Sequence, residues 1–115
     1  MRITTNVPVY ALGDTQAAAL GEMHFGNGKN LRSFFYLTIS TGIGGSFIYN
    51  KNLFDQKISD IGSIGHTTIK YNGRLCGCGK RGCLEAYASG NALIKKNKIK
   101  KCKNTKDLLT KFKNN

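Results

Sequence analysis

A chain of 115 residues, 40% of them hydrophobic, is long enough for one domain with a modest core and too apolar for a disordered protein. No apolar run approaches the roughly 18 residues of a membrane span, and no signal-peptide pattern is present, so we expect a cytoplasmic protein without a membrane partner. The net charge of +12 is concentrated in residues 95–115, which hold nine lysines and one aspartate. We predict a helical or disordered, solvated tail there, with binding to a polyanion such as nucleic acid as the less favoured alternative.

Along the chain, apolar residues and glycines predict a mixture of short strands and helices. The alanines of DTQAAALGEMHF favour a helix that begins at Asp14, and Asp is a common N-cap. The run FFYLTIS is rich in β-forming residues, and the glycines after it predict a hairpin. The predicted elements are a strand over 7–12, a helix over 14–25, a loop over 26–30, a strand over 34–40, a glycine turn over 41–46, a strand over 47–49, an irregular segment over 51–65, a strand over 66–71, a loop over 72–82, a helix over 83–98 with a break at Gly90, and a short helix over 105–112.

Three cysteines and a histidine follow the spacing of a metal site, His66-x9-Cys76-x-Cys78-x4-Cys83. Three thiolates and one imidazole are a standard ligand set for structural, tetrahedral zinc. The intervening glycines let the backbone turn tightly enough for the thiolates to face one ion. The alternative is a loop of free cysteines with His66 on an apolar strand, but clustered cysteines in a reducing compartment more often bind metal. Cys102, in the tail, is expected to be a bystander.

A glycine-rich turn, ISTGIGGS at residues 39–46, joins two of the predicted strands. Its three glycines leave backbone N–H groups uncovered, and such groups form nests that bind anions. Ser40 and Thr41 add hydroxyl donors. The motif is neither a Walker A loop nor GxGxxG, so taken alone it leaves a plain hairpin turn as the alternative.

Asp14 follows a predicted strand and begins a helix, a position that suits an N-cap. The functional alternative is a general base, a carboxylate that accepts the proton of an attacking hydroxyl group. The two roles are compatible, since the N-terminus of a helix stabilises a charged carboxylate.

Together these stretches resemble the ROK family, which contains sugar kinases and sugar-responsive repressors. The matching segments are GDTQAAALGE (13–22), YLTISTGIGGS (36–46), IGH (64–66) and CGCGKRGCLEAYASG (76–90). The cysteine motif with its upstream IGH is the most specific of them, and the resemblance covers about residues 7–94. Within the family, DTQAAA together with IGHT is most similar to bacterial N-acetylmannosamine kinases; glucokinases and fructokinases are the alternatives.

The resemblance implies an α/β fold of the actin-like, hexokinase (ribonuclease H-like) type, with magnesium and ATP between two lobes and a sugar 6-hydroxyl as acceptor. The sugar would be a hexose or N-acetylhexosamine, and a homo-oligomer is compatible with the family. The resemblance implies that Asp14 is the catalytic base and that zinc at the Cys3His loop is structural. The implied sugar-binding positions are Gly13, His66 and Glu85. The implied ATP-phosphate loop consists of Ser40, Thr41, Gly42, Ile43, Gly44 and Gly45.

The sequence also departs from the family pattern. Gly13 stands where the family has a sugar-binding asparagine, and Ser63 stands where it often has glutamate. The family's phosphate loop of the form DxGGT does not occur, and the tail replaces the region that closes over adenosine. We therefore expect a partial, truncated kinase domain over 1–94 that is weak or inactive alone, because transfer needs groups from both lobes. A fragment of a ROK repressor and a freestanding zinc-binding interaction module are the alternatives.

Overall fold

The structure, a computed structural model, describes residues 7–54 and 60–96 together with Lys106 and Thr110. A small antiparallel sheet carries a helix on one face and is followed by an irregular loop and two short helices. The elements are α1 (Asp14–Phe25), β1 (Phe34–Ile39), β2 (Ile43–Tyr49), β3 (Asn52–Leu53), a 3₁₀ helix (Asp60–His66), α2 (Glu85–Ala88) and α3 (Gly90–Lys96). None of the helices in these ranges has the length and apolar character needed to cross a membrane.

Helix α1 has the bounds that the sequence predicts, but Asp14 is not its N-cap. The N-cap is Gly13, whose N–H donates to the side-chain oxygen of Gln16 at 2.8 Å. Asp14 is therefore the first helical residue, and its carboxylate accepts the Thr15 N–H at 2.7 Å. An acidic residue in the first turn interacts favourably with the helix dipole, so Asp14 can still stabilise α1 without the capping role.

The three strands form one sheet in the order β1-β2-β3, with both pairs antiparallel, which confirms the predicted hairpin. One face packs against α1, where Ile48 of β2 joins Ala19 and Met23 in the buried core. The half-buried side chains around this core are Leu20, Phe34, Tyr36 and Leu53. Alternate residues of β1 point away from α1, and this second face exposes Phe35, Leu37 and Ile39.

Strand β2 begins earlier than the sequence predicts, at Ile43, so the turn shrinks to residues 40–42. Gly44 and Gly45 belong to the strand and not to the turn. A side chain at Gly45 would overlap the ring of Phe35 on the paired strand. This glycine therefore permits close packing inside the sheet, a role that sequence patterns alone do not separate from turn formation.

The predicted strand over 7–12 is not formed. Residues 8–12 are irregular, and the side chains of Val9, Tyr10 and Leu12 are exposed. A strand is stable only when a neighbour pairs with its N–H and C=O groups. None of the described strands lies beside this segment, so its apolar composition does not produce a strand.

The predicted strand over 66–71 is also absent. His66 ends the 3₁₀ helix, and a single bridge between Thr68 and Cys83 stands where a ladder was expected. The carbonyl oxygen of Gly82 accepts the N–H groups of both residue 69 and residue 70, at 2.8 and 3.2 Å. Two consecutive N–H groups cannot point at one partner in a regular strand, where they alternate in direction, so the chain bends here.

The predicted helix over 83–98 is divided into α2 and α3 at Ser89, one residue before the predicted break at Gly90. The Ser89 hydroxyl accepts the Ala92 N–H at 3.2 Å and so caps the start of α3. Residues 97–105 lie outside the described part of the chain. Of the predicted last helix, only Lys106 and Thr110 are described; both are helical.

Candidate functional site

The first two cysteines of the loop lie on a tight turn. The Cys76 N–H donates to the Lys80 carbonyl at 2.8 Å, and the Gly79 N–H donates to the Cys76 carbonyl at 3.0 Å. Gly79 has a φ of +86°, in the left-handed region that glycine adopts most easily. The segment therefore closes on itself, and the thiols of Cys76 and Cys78 lie within 4.8 Å of each other.

Backbone hydrogen bonds bring the third cysteine and the histidine to the same place. The Leu84 N–H donates to the Thr67 carbonyl at 2.9 Å, which aligns the segment after the loop with the segment before it. Gly82, with a φ of +82°, reverses the chain just before Cys83. Cys83 consequently lies beside His66, although 16 residues separate them in the sequence.

The four predicted metal ligands form one cluster. Their ligand atoms all lie within 4.8 Å of one another. The Cys76 Sγ lies 3.7 Å from the His66 Nδ1, and the Cys78 Sγ lies 3.8 Å from the Cys83 Sγ. A tetrahedron with zinc–sulfur bonds of about 2.3 Å has edges of roughly 3.6–3.8 Å, so the donor types and their spacing both fit zinc. The structure thus brings together the predicted ligands, which belong to two separate stretches of sequence.

Two of the thiols differ in acidity because their surroundings differ. The pKa of Cys83 is raised to about 11. Burial is the largest cause, and hydrogen bonds with the neighbouring thiols add to it. A backbone hydrogen bond from Lys80 lowers the pKa of the exposed Cys78 thiol below its ordinary value. Without a cation, the buried thiol therefore keeps its proton, whereas a bound metal would stabilise its thiolate form.

Glu85, the predicted sugar ligand, lies between the cluster and the hairpin. Its Oε2 accepts the backbone N–H of Ile43 at 2.9 Å, and its Oε1 lies 3.9 Å from the Cys76 Sγ. The side chain is half-buried at the start of α2. Sequence reasoning placed Glu85 at the sugar and Ile43 at the phosphates, and the structure shows that these two residues contact each other directly.

The predicted phosphate loop is partly used inside the chain. The Ser40 N–H donates to the Gly42 carbonyl at 2.9 Å, and the Ser40 carbonyl accepts the Gly90 N–H at 2.8 Å. Thr41 is exposed and lines a cleft of about 430 Å³ beside the cysteine loop. Other residues that line this cleft are Arg74, Cys76, Glu85, Ser89 and Lys95.

The predicted base lies elsewhere. Asp14 is exposed and lines a different cleft of about 220 Å³, together with Thr15, Ala18, Tyr36 and Thr38. The Ser46 hydroxyl donates to the Thr15 hydroxyl at 3.2 Å and so connects the first turn of α1 to β2. Gly13, the other predicted sugar position on this helix, is exposed as its N-cap. The structure therefore gathers the metal ligands, Glu85 and the turn, whereas Asp14 lines a second cleft, whose wall includes Thr38, the residue of β1 that pairs with Gly44.

Arg74 and Tyr87 form a contact that sequence reasoning missed. The backbone N–H of Arg74 donates to the Tyr87 hydroxyl at 2.8 Å, and the guanidinium lies 4.9 Å from the centre of the tyrosine ring. This contact joins the start of the cysteine loop to α2. Nothing in the spacing of these two residues indicates it, because the contact depends on the bend at residues 69–70.

Comparison with known proteins decides the family. The profile of the ROK family matches residues 1–115. The chain belongs to the ROK family. Among its curated relatives, an N-acetylmannosamine kinase of Haemophilus influenzae (strain PittEE) is 43% identical over 89 residues, which are 77% of this chain and 30% of the relative. A xylose repressor of Bacillus subtilis (strain 168) is 47% identical over 90 residues, which are 78% of this chain and 23% of that protein.

Solved ROK structures share the fold of this chain. A ROK hexokinase from Thermus thermophilus superposes with a TM-score of 0.81 at 38% identity, over 95% of this chain and 38% of the hexokinase. A ROK glucokinase from Streptomyces griseus, in complex with glucose and AMPPNP, gives a TM-score of 0.67 at 39% identity, over 77% of this chain and 28% of the glucokinase. The predicted family is confirmed, and the described region corresponds to part of an actin-like ATPase fold.

The chain spans about 30% of the length of the curated kinases that it matches. Its relatives include both kinases and a repressor at similar identity. Family membership therefore does not by itself separate phosphoryl transfer from sugar sensing, and the residues of the site have to support one or the other.

Proposed function

We propose that this chain is the metal-loop and hairpin portion of an ATP-dependent ROK sugar kinase, which phosphorylates the 6-hydroxyl of a hexose or N-acetylhexosamine. N-acetylmannosamine is the proposed sugar, in keeping with the kinases among its relatives. One observation carries the proposal. The carboxylate of Glu85 lies against both the cysteine–histidine cluster and Ile43, the residue that follows the turn, so the parts expected for sugar and for phosphate meet within hydrogen-bonding range.

In the proposed reaction, Asp14 accepts the proton of the sugar 6-hydroxyl as that oxygen attacks the terminal phosphate of ATP. Its position supports this role in two ways. The carboxylate is exposed at the wall of a cleft, and it directly precedes Thr15, whose hydroxyl is hydrogen-bonded to Ser46 of β2. Magnesium bound with ATP would neutralise charge on the phosphates during transfer.

The cluster has a structural role in this proposal. Zinc would be held by His66, Cys76, Cys78 and Cys83, and it would supply rigidity to the loop without entering the reaction. The position of Glu85, two residues after Cys83, then depends on the cluster. The carboxylate would supply acceptors for sugar hydroxyls. The Cys76 Sγ lies 3.9 Å from its Oε1 and 3.7 Å from the Nδ1 of His66, the other proposed sugar ligand.

A second candidate is a sugar-binding module of a ROK repressor, because a xylose repressor matches the chain as well as the kinases do. Such a module would bind sugar through the same residues, Glu85 and His66, and would transfer no phosphate. The two candidates therefore predict the same sugar binding and differ in whether ATP is consumed.

The test measures binding and transfer separately on the full chain loaded with zinc. Sugar binding is followed by ligand-observed NMR with N-acetylmannosamine, glucose and xylose, and transfer is followed as ADP release from magnesium-ATP. The kinase proposal expects sugar-dependent ADP release above the no-sugar control, highest with N-acetylmannosamine. Asp14→Asn should remove that release and leave sugar binding intact, because the side chain keeps its shape and loses its basicity.

Glu22→Gln serves as the matched control, because Glu22 is a second carboxylate of α1 that lies at the far end of the helix. Sugar binding without ADP release would favour the repressor module. Zinc binding with neither sugar binding nor ADP release would indicate an interaction module and overturn both proposals. Unchanged ADP release in Asp14→Asn would remove Asp14 as the base.

A further inference from the structure

We propose that Glu85 is a positioning residue that couples the order of the hairpin turn to the cysteine–histidine cluster. Its two carboxylate oxygens point to different partners. Oε2 accepts the Ile43 N–H at 2.9 Å, and Oε1 lies 3.9 Å from the Cys76 Sγ. A hydrogen bond from a backbone amide to an ionised carboxylate is among the stronger ones in proteins, so this contact can hold a turn in place.

Two hydrogen bonds join the residues that flank the turn, Ser40 and Ile43, to the segment that follows the cluster. One is the bond from the Ile43 N–H to Glu85 in α2. The other runs from the Gly90 N–H, at the start of α3, to the Ser40 carbonyl at 2.8 Å. Both ends of the turn are thereby fixed by residues that lie within seven positions of Cys83. The order of the turn should therefore follow the order of that segment.

The segment in turn depends on the cluster. Helix α2 has four residues, and a helix that short is not stable by itself in water. Its position follows from Cys83, which is fully buried in the cluster, and from the hydrogen bond between the Leu84 N–H and the Thr67 carbonyl. A metal ion that locks the four ligands would also lock the start of α2 and, through Glu85, the turn.

This arrangement changes the part that Ile43 plays in the predicted phosphate loop. Its N–H is already satisfied by a carboxylate, so Glu85 takes the place that a phosphate oxygen was expected to take. The consequence for ATP binding rests on the proposed kinase function: metal loading would order the turn before the nucleotide arrives. The coupling itself concerns only the chain and its metal.

The test is amide hydrogen exchange by NMR on the full chain, with and without zinc, read at Ile43 and at the core residue Ile48. We expect Glu85→Ala to reduce the protection of the Ile43 amide about tenfold or more, with Ile48 unchanged. Glu85→Gln keeps a neutral acceptor and should give an intermediate value. Removal of zinc should reduce Ile43 protection in the natural chain and have little further effect in Glu85→Ala.

A second variant, in the turn itself, breaks the same hydrogen bond between Ile43 and Glu85. A side chain at Gly42 would come within 2.6 Å of the Glu85 Oε2, so Gly42→Ala should displace the carboxylate and reproduce the loss at Ile43. The double variant Gly42→Ala with Glu85→Ala should show no further loss. Glu22→Ala is the matched control, because the Glu22 Oε2 also accepts a backbone N–H, that of Asn27 at 2.9 Å, at the far end of α1.

Two results would overturn the coupling: unchanged exchange at Ile43 in Glu85→Ala, or an equal loss of Ile43 protection in Glu22→Ala. If Glu85→Ala loses protection at Ile48 as well and so fails to fold, Glu85→Gln and Gly42→Ala decide the question. The exchange readout needs neither sugar nor ATP. Failure of the kinase proposal therefore leaves this test intact, and failure of the coupling leaves the kinase proposal to its own assay.

Discussion

The hydroxyl of Ser46 donates a 3.2 Å hydrogen bond to the hydroxyl of Thr15, and this bond joins β2 to the first turn of α1. Ser46 is fully buried, so the contact lies inside the interface between sheet and helix. Because Thr15 directly follows Asp14, the bond also fixes where the proposed base lies relative to the hairpin. Removal of the Ser46–Thr15 hydrogen bond should therefore change both the stability of the chain and the position of Asp14.

Ser46→Ala is expected to lower the free energy of unfolding by about 1 kcal/mol, because the half-buried Thr15 hydroxyl loses a partner. Thr15→Val should cost a similar amount. The double variant should cost less than the sum, since both changes remove the same bond. Urea unfolding followed by circular dichroism measures all three. Ser63→Ala, at an exposed serine, is the control and should change little; strict additivity would show that the hydroxyl pair contributes nothing.

The metal cluster predicts a stoichiometry. The zinc-loaded chain should contain about one zinc ion, held in a closed tetrahedral site. Cys76→Ser or Cys83→Ser should weaken zinc binding by more than about a hundredfold, because loss of an outer-sphere partner alone can cost up to that factor. Cys102→Ser is the matched control and should retain full binding. Elemental analysis and competition with a chelating dye check this, and a zinc-free chain with native stability would contradict it.

Metal affinity should rise with pH. Burial raises the pKa of Cys83 from its ordinary value of 9.0 to about 11, so this ligand is protonated at neutral pH in the metal-free chain. Metal binds the thiolate, and binding therefore releases that proton. The apparent affinity should increase about tenfold per pH unit for each proton released between about pH 6 and 8. Competition titrations across this range would show a flat profile if no proton is released.

The raised pKa of Cys83 has the opposite consequence for the stability of the metal-free chain, which should fall as the pH rises. The folded chain favours the neutral thiol of Cys83. This preference stabilises the folded state below pH 9.0, and the stabilisation is lost as the pH rises toward about 11. Thermal unfolding of the metal-free chain should thus move to lower temperature over this alkaline window. Cys83→Ser should remove the dependence, whereas Cys102→Ser should keep it.

Local sequence signals predicted the elements whose causes are local. The bounds of α1 follow from its alanines, and the metal ligands follow from their spacing, which sits on a loop shaped by Gly79 and Gly82. The Glu85–Ile43 bond has no such signal, because the partners lie 42 positions apart and the contact exists only after both segments have folded. The same limit explains the two missing strands: composition indicates that a segment can pair but does not show whether a partner lies beside it.

Gly82 should be one of the least replaceable positions in the loop. Its φ of +82° is strained for any residue with a side chain, and a Cβ there would overlap the Lys70 carbonyl oxygen. Gly82→Ala is expected to cost about 1–3 kcal/mol and to weaken zinc binding. Gly77→Ala is the matched control within the same loop, because a Cβ there has nothing within 4 Å. Equal zinc affinities for the two variants would contradict the structure of this turn.

The contact between Arg74 and Tyr87 combines a hydrogen bond and a cation–π interaction, and two variants of Tyr87 can measure them separately. Tyr87→Phe removes the hydroxyl that accepts the Arg74 N–H at 2.8 Å and keeps the ring under the guanidinium. We expect a loss of about 0.5–1 kcal/mol, because water can replace the lost acceptor at this partly exposed site. Tyr87→Leu removes the ring as well and should cost more, since the cation–π contact is also lost. Tyr71→Phe is the control, because Tyr71 is 87% exposed.

Both Tyr87 variants should also weaken zinc binding by a few-fold, because this contact holds the start of the cysteine loop against α2. If urea unfolding detects the loss and zinc titration does not, the contact stabilises α2 without helping to shape the cluster.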